Sequence, residues 1–199
     1  MRYEPRHKEE TRQRVLRSAA RALRAQGPHQ VAVAKVMADA GLTHGGFYAH
    51  FESKDDLIAA TIDQLFAEGG VRMRRRTEGK APSEALAAYI DFYLSPAHRD
   101  ARTSGCPMPF LAADLPRLPR EARRRFASGV AQLQRWFAER LSLMGHDAAE
   151  AEAASTLAEL VGAISLARAE PDRKASDLML TRSRWSLKRR LGLGEAFEP

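Results

Sequence analysis

Residues 33–51, VAKVMADAGLTHGGFYAHF, gather hydrogen-bonding side chains into a short stretch. Thr43, His44, Tyr48 and His50, with Lys54 just beyond and Lys35 just before, offer hydroxyl, imidazole and ammonium groups. Groups of this kind donate to phosphate oxygens and to base edges in a DNA groove. They are not arranged for covalent catalysis. The chain has no nucleophile elbow, no phosphate-cradling glycine loop and no HExxH. Its six histidines are scattered, and none stands with cysteine or acids at metal-ligand spacing. No catalytic residue, metal or cofactor is expected. The other reactive group is the single cysteine, Cys106, between Gly105 and Pro107. At the entry to a short helix its thiolate would be favoured, with Arg99 and Arg102 nearby in sequence. As a small buried hydrophobe it would be inert.

The elements that must position these groups read as helix nearly throughout, rich in Ala, Leu, Arg and Glu. Val15, Leu16, Ala19 and Leu23 recur at helical spacing and predict a helix over 11–26, stopped by Gly27-Pro28. Val33, Val36, Met37 and Ala40 predict a second, short helix over 33–40. Gly41 permits a sharp bend and Leu42 fills the space beneath it. Thr43 is placed to cap a third helix reaching Phe51. Two short helices joined at a glycine are the sequence form of a helix-turn-helix, whose second helix fits the major groove with its N–H groups toward phosphate. Ser53 with Asp56 three residues later reads as a capping box opening the next helix, in which Gly69-Gly70 is a weak point. Further helices are expected from Pro82 to Ser95, Met108 to Asp114, a long one through Phe126 to Leu141, then 148–169 and 176–191, with 97–109 a loop.

The run from Ala40 through Phe51, followed by Ser53-Lys54-Asp55-Asp56-Leu57, resembles the DNA-binding domain of the TetR family of bacterial transcriptional repressors. The resemblance covers about residues 11–58. Beyond it, the chain is similar in length and all-helical character. The Gly-Cys-Pro stretch at Cys106 resembles a subgroup that includes electrophile and quinone sensors. The fold implied is all-α: an N-terminal three-helix DNA-binding domain with a helix-turn-helix over 1–52, and a larger helical ligand-binding and dimerisation domain over 53–199. Lys35, Thr43, His44, Gly45, Gly46, Phe47, Tyr48, His50 and Lys54 then make up the expected DNA-binding set. Tyr48, His50 and Lys54 match family phosphate contacts. Phe47 and Phe51 lock the helix to the core. Gly46 departs from the side-chain-bearing residue usual at that position, so direct base readout is expected to be sparse. The basic arm of Arg2, Arg6, Lys8 and Arg12 would add phosphate or minor-groove contacts.

The resemblance also implies a two-fold dimer on a palindromic double-stranded operator, with the last two long helices forming a four-helix bundle. Ala153, Ala154, Gly162 and Ala163 allow close approach there, and Leu157, Leu160, Val161 and Ile164 supply apolar area, with Leu178, Leu180, Trp185 and Leu187 extending it; the alternative for the same residues is an intramolecular core. A small-molecule effector pocket is implied among Tyr89, Phe92, Tyr93, Cys106, Met108, Phe110, Phe126, Leu133, Trp136 and Phe137. The function expected is a ligand-responsive repressor released by its effector. The alternatives are a thiol-based redox sensor acting through Cys106 and a non-specific architectural DNA binder.

Composition sets the outer limits. The 199 residues carry 32 Lys and Arg against 25 Asp and Glu, a formal charge of +7. With 44% hydrophobic and 29% charged residues the composition is that of an ordinary globular chain. A single cysteine rules out an intrachain disulfide framework and fits a cytoplasmic location. No leader-like apolar core follows the charged start, and no membrane-spanning segment is expected. Residues 1–56 hold ten Lys and Arg against seven Asp and Glu, so most of the basic excess is expected in the body, in the runs 72–76, 117–125 and 182–190.

Overall fold

The structure is a computed structural model that describes residues 3–101 and 103–194. Arg2 and Arg102 lie outside the described residues. Among those described there are helices and no strands. They group into two compact units that do not follow chain order. The first comprises Met1–Glu68 and Phe110–Gly129, the second Gly69–Pro109 and Val130–Pro199.

The first unit is built on α1 (Tyr3–Gln26), α2 (Val33–Asp39), the opening part of α3 (Lys54–Thr77) and the opening part of α7 (Arg120–Leu143). Helix α1 begins well before Thr11. Side-chain pairs one turn apart, Arg6 with Glu10 at 3.3 Å and Gln13 with Glu9 at 2.8 Å, support the added turns. Its stripe of Val15, Leu16, Ala19 and Leu23 is buried with Val36 and Met37 of α2 and with Leu57, Ile58, Ile62 and Leu65 of α3. The capping box at Ser53 forms in altered shape. The Asp56 N–H donates to Ser53 Oγ at 3.1 Å, but the Asp56 carboxylate accepts from the Glu52 N–H at 3.2 Å, one residue earlier than the standard partner. Gly69 and Gly70 do not interrupt α3, which runs unbroken to Thr77. Arg24 is tied to Glu68 at 2.8 Å, joining α1 to α3.

In the second unit α4 (Pro82–Tyr93) starts on a proline that suits its first turn. The stretch after Ser95 is helical, against the expectation of a loop: α5 (Pro96–Asp100) is capped by Ser95 Oγ, which accepts from the His98 N–H at 3.1 Å. Helix α6 (Met108–Leu111) is shorter than expected and ends before Asp114. Helices α8 (Ala149–Ala169) and α9 (Arg173–Arg190) pack together, with Asp172 capping α9 through the Ala175 N–H at 2.7 Å. Most of their large apolar residues face inward. Ala153, Leu157, Leu160, Ala163, Ile164, Leu180 and Leu187 are all buried within the single chain. This corrects the expectation that these residues supply a dimer face. Arg99 is buried beside this pair and donates to Ser176 Oγ and to Asp177, each at 2.6 Å, while Ser176 Oγ donates to the Ala167 carbonyl at 2.6 Å.

Within the first unit Gly129 of α7 sits against the ring of Phe66, which also meets Phe126 edge-on at 5.5 Å. A Cβ at position 129 would lie 2.4 Å from two Phe66 ring atoms. Gly129→Ala therefore sets a helix-propensity gain of about 1 kcal/mol against an overpacking cost of about 1–3 kcal/mol. The collision is with a ring face, not a flexible end, so the cost wins. The variant is expected to unfold at lower denaturant than wild type, and an unchanged or raised midpoint would contradict this.

Candidate functional site

The turn after α2 has the geometry its sequence asked for. Gly41 takes φ +74, and its N–H and that of Leu42 close back on the Ala38 and Met37 carbonyls, each at 2.9 Å. Beyond the turn the chain forms a six-residue 3₁₀ segment, His44–Ala49, rather than an α-helix. The Gly46 N–H donates to the Thr43 carbonyl at 3.1 Å and the His50 N–H to the Phe47 carbonyl at 3.0 Å, the one-turn spacing of a 3₁₀ helix. Two adjacent glycines in so short a segment favour the tighter form over a full α-turn. Thr43 holds the N-cap backbone position, but its side chain makes no capping bond.

The segment is fixed from its apolar side. Phe47 and Phe51 are each 2% exposed and their rings stack at 5.7 Å. Phe47 is thus a core residue whose side chain cannot meet a solvent-borne partner, which corrects its inclusion in the DNA-binding set. Tyr48 rests edge-on against Phe47 at 5.3 Å, yet is 71% exposed. Its ring is held at one edge while its hydroxyl faces solvent. Thr43, His44, Gly45 and Lys54 are also exposed, as is Lys35, which pairs with Asp39 at 3.7 Å. The Lys54 ammonium donates to the His29 carbonyl at 3.1 Å, which holds its head group beside the segment and leaves two further donors. The outward row is therefore Thr43, His44, Tyr48 and Lys54, with Lys35 on the neighbouring helix. Gly45 and Gly46 have ordinary backbone angles. A Cβ at 45 would meet nothing within 4 Å, and one at 46 only Met37 and Thr43, at 3.8 and 3.9 Å.

His50 is half-buried rather than displayed. Burial lowers its pKa, and the nearby charges of Lys8 and Arg12 lower it further. Arg12 is the residue that sequence reasoning misplaced. It belongs to no outward arm: its guanidinium lies 4.2 Å over the Phe51 ring and donates to the His50 carbonyl. It clamps the C-terminal end of the segment to α1. One arginine among many on α1 carried no sign of this, because its aromatic partner is remote in sequence. The basic run 117–125, assigned to the body by sequence, belongs by packing to this same first unit.

The aromatic set expected to form a pocket is divided. Phe110 and Phe126 are partly buried against the first unit's core. Tyr89, Phe92, Tyr93, Trp136 and Phe137 cluster in the second unit, where Tyr89 meets Tyr93, Trp136 and Phe137 at 5.8, 5.5 and 5.4 Å. Met108 is buried and Leu133 partly so. The sequence pattern did not reveal His98, which touches the rings of Phe92 and Tyr93 at 5.1 and 4.6 Å. Its Nδ1 lies 2.7 Å from the Tyr93 carbonyl, which only accepts, so the ring proton sits there. Its Nε2 then accepts from the Cys106 N–H at 3.3 Å. Of the two readings of Cys106, the favoured thiolate is the one the surroundings oppose. Cys106 precedes a helix of only four residues, and burial raises its thiol pKa, opposed by contacts with Met108 and Tyr93 and by the charges of Arg72 and Arg168. Among the described residues those two arginines, and not Arg99, supply its positive surroundings. Among the described residues no His, Cys, Asp or Glu cluster could hold a metal, and no helix is long and apolar enough to cross a membrane.

Comparison with known proteins accords with this geometry. Residues 15–61 match the model of bacterial regulatory proteins of the tetR family, and residues 82–178 match that of the C-terminal domain of LmrA/YxaF-like transcriptional regulators. An HTH-type transcriptional repressor of Mycobacterium tuberculosis is 27% identical over 87 residues, 44% of each chain, so the chain aligns with less than half the length of the curated relatives it matches. Among solved structures, a TetR transcriptional regulator from Chloroflexus aurantiacus is similar with a TM-score of 0.80 and 23% identity, over 94% of this chain and 96% of that one. The reduced form of Escherichia coli NemR is similar with a TM-score of 0.78 and 18% identity, over 90% and 97%. A TetR-family regulator from Streptomyces coelicolor is 26% identical over 92% and 96%, with a TM-score of 0.68.

His98 generates a pH prediction. Burial lowers its pKa from 6.5 to about 4, so the folded chain keeps it neutral. Between pH 6.5 and about 4 the unfolded chain takes up a proton that the folded chain refuses, and stability falls as pH falls. From pH 7 to 4.5 wild type should lose about 2 kcal/mol more than His98→Gln in denaturant titrations. Parallel pH profiles for the two proteins would contradict the assignment.

Proposed function

Because this chain belongs to the TetR family of bacterial regulatory proteins, we propose that it is a ligand-responsive transcriptional repressor that binds a palindromic operator as a dimer. The observation that carries the reading is the outward polar row on a segment anchored from behind by Phe47, Phe51 and Arg12. A rigid backing with free polar tips is what groove recognition requires, since contacts must be held in register before binding. In this reading residues 1–52 carry the DNA contacts and 53–199 carry effector binding and dimerisation. Tyr48 and Lys54 contact phosphates. His44, with Thr43 and Lys35, reaches toward base edges, and Gly45 and Gly46 allow close backbone approach. His50 contributes through position, its carbonyl occupied by Arg12. No catalytic step belongs to this function, and its place is the cytoplasm, with the DNA.

The dimer face in this proposal is the outward side of α8. With Leu157 and Leu160 turned inward, that helix still presents Ala154, Ala158, Gly162 and Leu166, the last 61% exposed. Such a face, small-residued and apolar, suits close packing against a second copy. The effector in this proposal occupies the second-unit aromatic cluster around Tyr89, Phe92, Tyr93, Trp136 and Phe137. Release occurs if the effector favours an arrangement with poorer operator spacing, in which case effector and operator weaken each other's binding by the same factor.

Selection of bound sequences from random duplex DNA should return an inverted repeat with half-site centres about 34–36 Å apart. Recovery of no shared sequence would leave only an architectural DNA binder. Tyr48→Phe should weaken operator binding by at least about tenfold, the loss of roughly one hydrogen bond to a charged group. Lys54→Ala should lower the salt slope by about one. For the dimer, nothing lies within 4 Å of a Cβ at Gly162 in the single chain. Gly162→Glu should therefore keep its helical content yet sediment as a monomer. A dimer that survives this substitution puts the interface elsewhere.

A further inference from the structure

We infer that the aromatic cluster of the second unit is built for an organic anion, a planar aromatic molecule bearing one carboxylate or a similar acidic group. The inference rests on the reading of that cluster as the effector site, and supplies the ligand's chemical class.

The first observation is an unmet demand. The Tyr93 hydroxyl is buried and makes no conventional hydrogen bond. The polar group it neighbours is the Cys106 thiol, a weak partner in either direction. A buried hydroxyl left so costs stability unless something occupies it. His98 cannot serve, because both its ring nitrogens are engaged with the backbone.

The second observation is the charge around the cluster. The guanidinium of Arg76 lies 3.8 Å over Phe92 and donates to the Arg72 carbonyl at 2.9 Å. The guanidinium of Arg168 donates to the carbonyls of His98 and Arg99, both at 3.1 Å. It also stands 3.1 Å from where a Cβ on Gly105 would be. Position 105 is thus kept bare beside the arginine. Arg72 acts electrostatically on Tyr89, His98 and Cys106, and Arg168 on Tyr93, His98 and Cys106. Among the described residues, no carboxylate is one of the main charges acting on these four groups. The nearby acids Asp100 and Asp177 are bound to Arg99, and Asp100 also to Arg173 at 2.7 Å. Two or three cations bordering aromatic walls, with a hydroxyl that needs an acceptor, complement an aromatic anion. They repel a cation, and they gain little from a neutral ring.

The test uses three probes of nearly one shape: benzoate, benzamide and benzamidine, negative, neutral and positive. Binding to the full-length dimer is read by quenching of Trp136, which packs on Tyr89 at 5.5 Å, in a Trp185→Phe background. Benzoate should bind at least about tenfold tighter than benzamide, and benzamidine should not bind. Tyr93→Phe and Arg72→Met should each weaken benzoate about tenfold, and Arg72→Met should leave benzamide unchanged. Tyr93→Phe removes an oxygen whose one polar neighbour is the weakly bonding Cys106 thiol, so its melting temperature should change little, which separates lost binding from lost folding. Equal binding of the three probes, preference for benzamidine, no binding by any of them, or benzoate binding indifferent to both substitutions would overturn the inference. Operator release measured alongside separates it from the reading beneath. Benzoate bound in the cluster with no change in operator affinity supports the anion site and removes the effector role. Release by benzamidine with benzoate inert keeps the effector role and overturns the anion.

Discussion

A six-residue 3₁₀ segment cannot hold itself in water, because too few hydrogen bonds repay the ordering of its backbone. Everything proposed for the outward side of residues 44–49 therefore depends on what grips the inward side. Phe47 and Phe51 supply that grip by burial, and Arg12 closes the far end by lying on one ring and holding the His50 carbonyl. The division of labour is by face. Aromatic residues at 47 and 51 are spent on position, and the tips at 44, 48 and 54 are left for contact. Tyr48 shows both uses in one side chain, with its edge against Phe47 and its hydroxyl outside.

The second unit solves a different problem, the burial of polar groups. Arg99 is 3% exposed and would be costly there alone, but Ser176, Asp177 and Asp100 take up its donors. His98 is kept neutral and bonded at both nitrogens, so it binds the end of α4 to the Cys106 loop without a charge. The same burial that suppresses the imidazolium disfavours the thiolate of Cys106. The expected lowering of its pKa assumed a helix dipole, and α6 is too short to supply a strong one.

How much of this could be read from sequence depended on the range of the interactions. Periodicity exposed the faces of α1 and α2, and Gly41 and Ser53 marked turn and cap, because those signals lie within a few residues of one another. The motif resemblance identified the turn segment, although it took Gly45-Gly46 as part of a regular helix. Longer-range pairings were hidden. Arg12 with Phe51, Arg72 and Arg168 around Cys106, and the split of Phe110 and Phe126 from Tyr89 and Tyr93 join residues tens of positions apart. The inward turn of Leu157, Leu160 and Ile164 was hidden for another reason. Helix α8 is apolar on both sides, so its pattern could not say which side meets the chain itself.

The two glycines at the front of the turn segment bear on how such a chain acquires new preferences. Neither is required by its backbone, and a side chain at either would meet open space or ordinary contact. In the proposed reading each is thus a position where a mutation can add a side chain toward the groove without cost to the core. Most routes to altered sequence preference must exchange one contact for another and pass through a weaker intermediate. Here the one thing given up is the close backbone approach that a bare glycine allows, so a change of target can start from a scaffold that already folds.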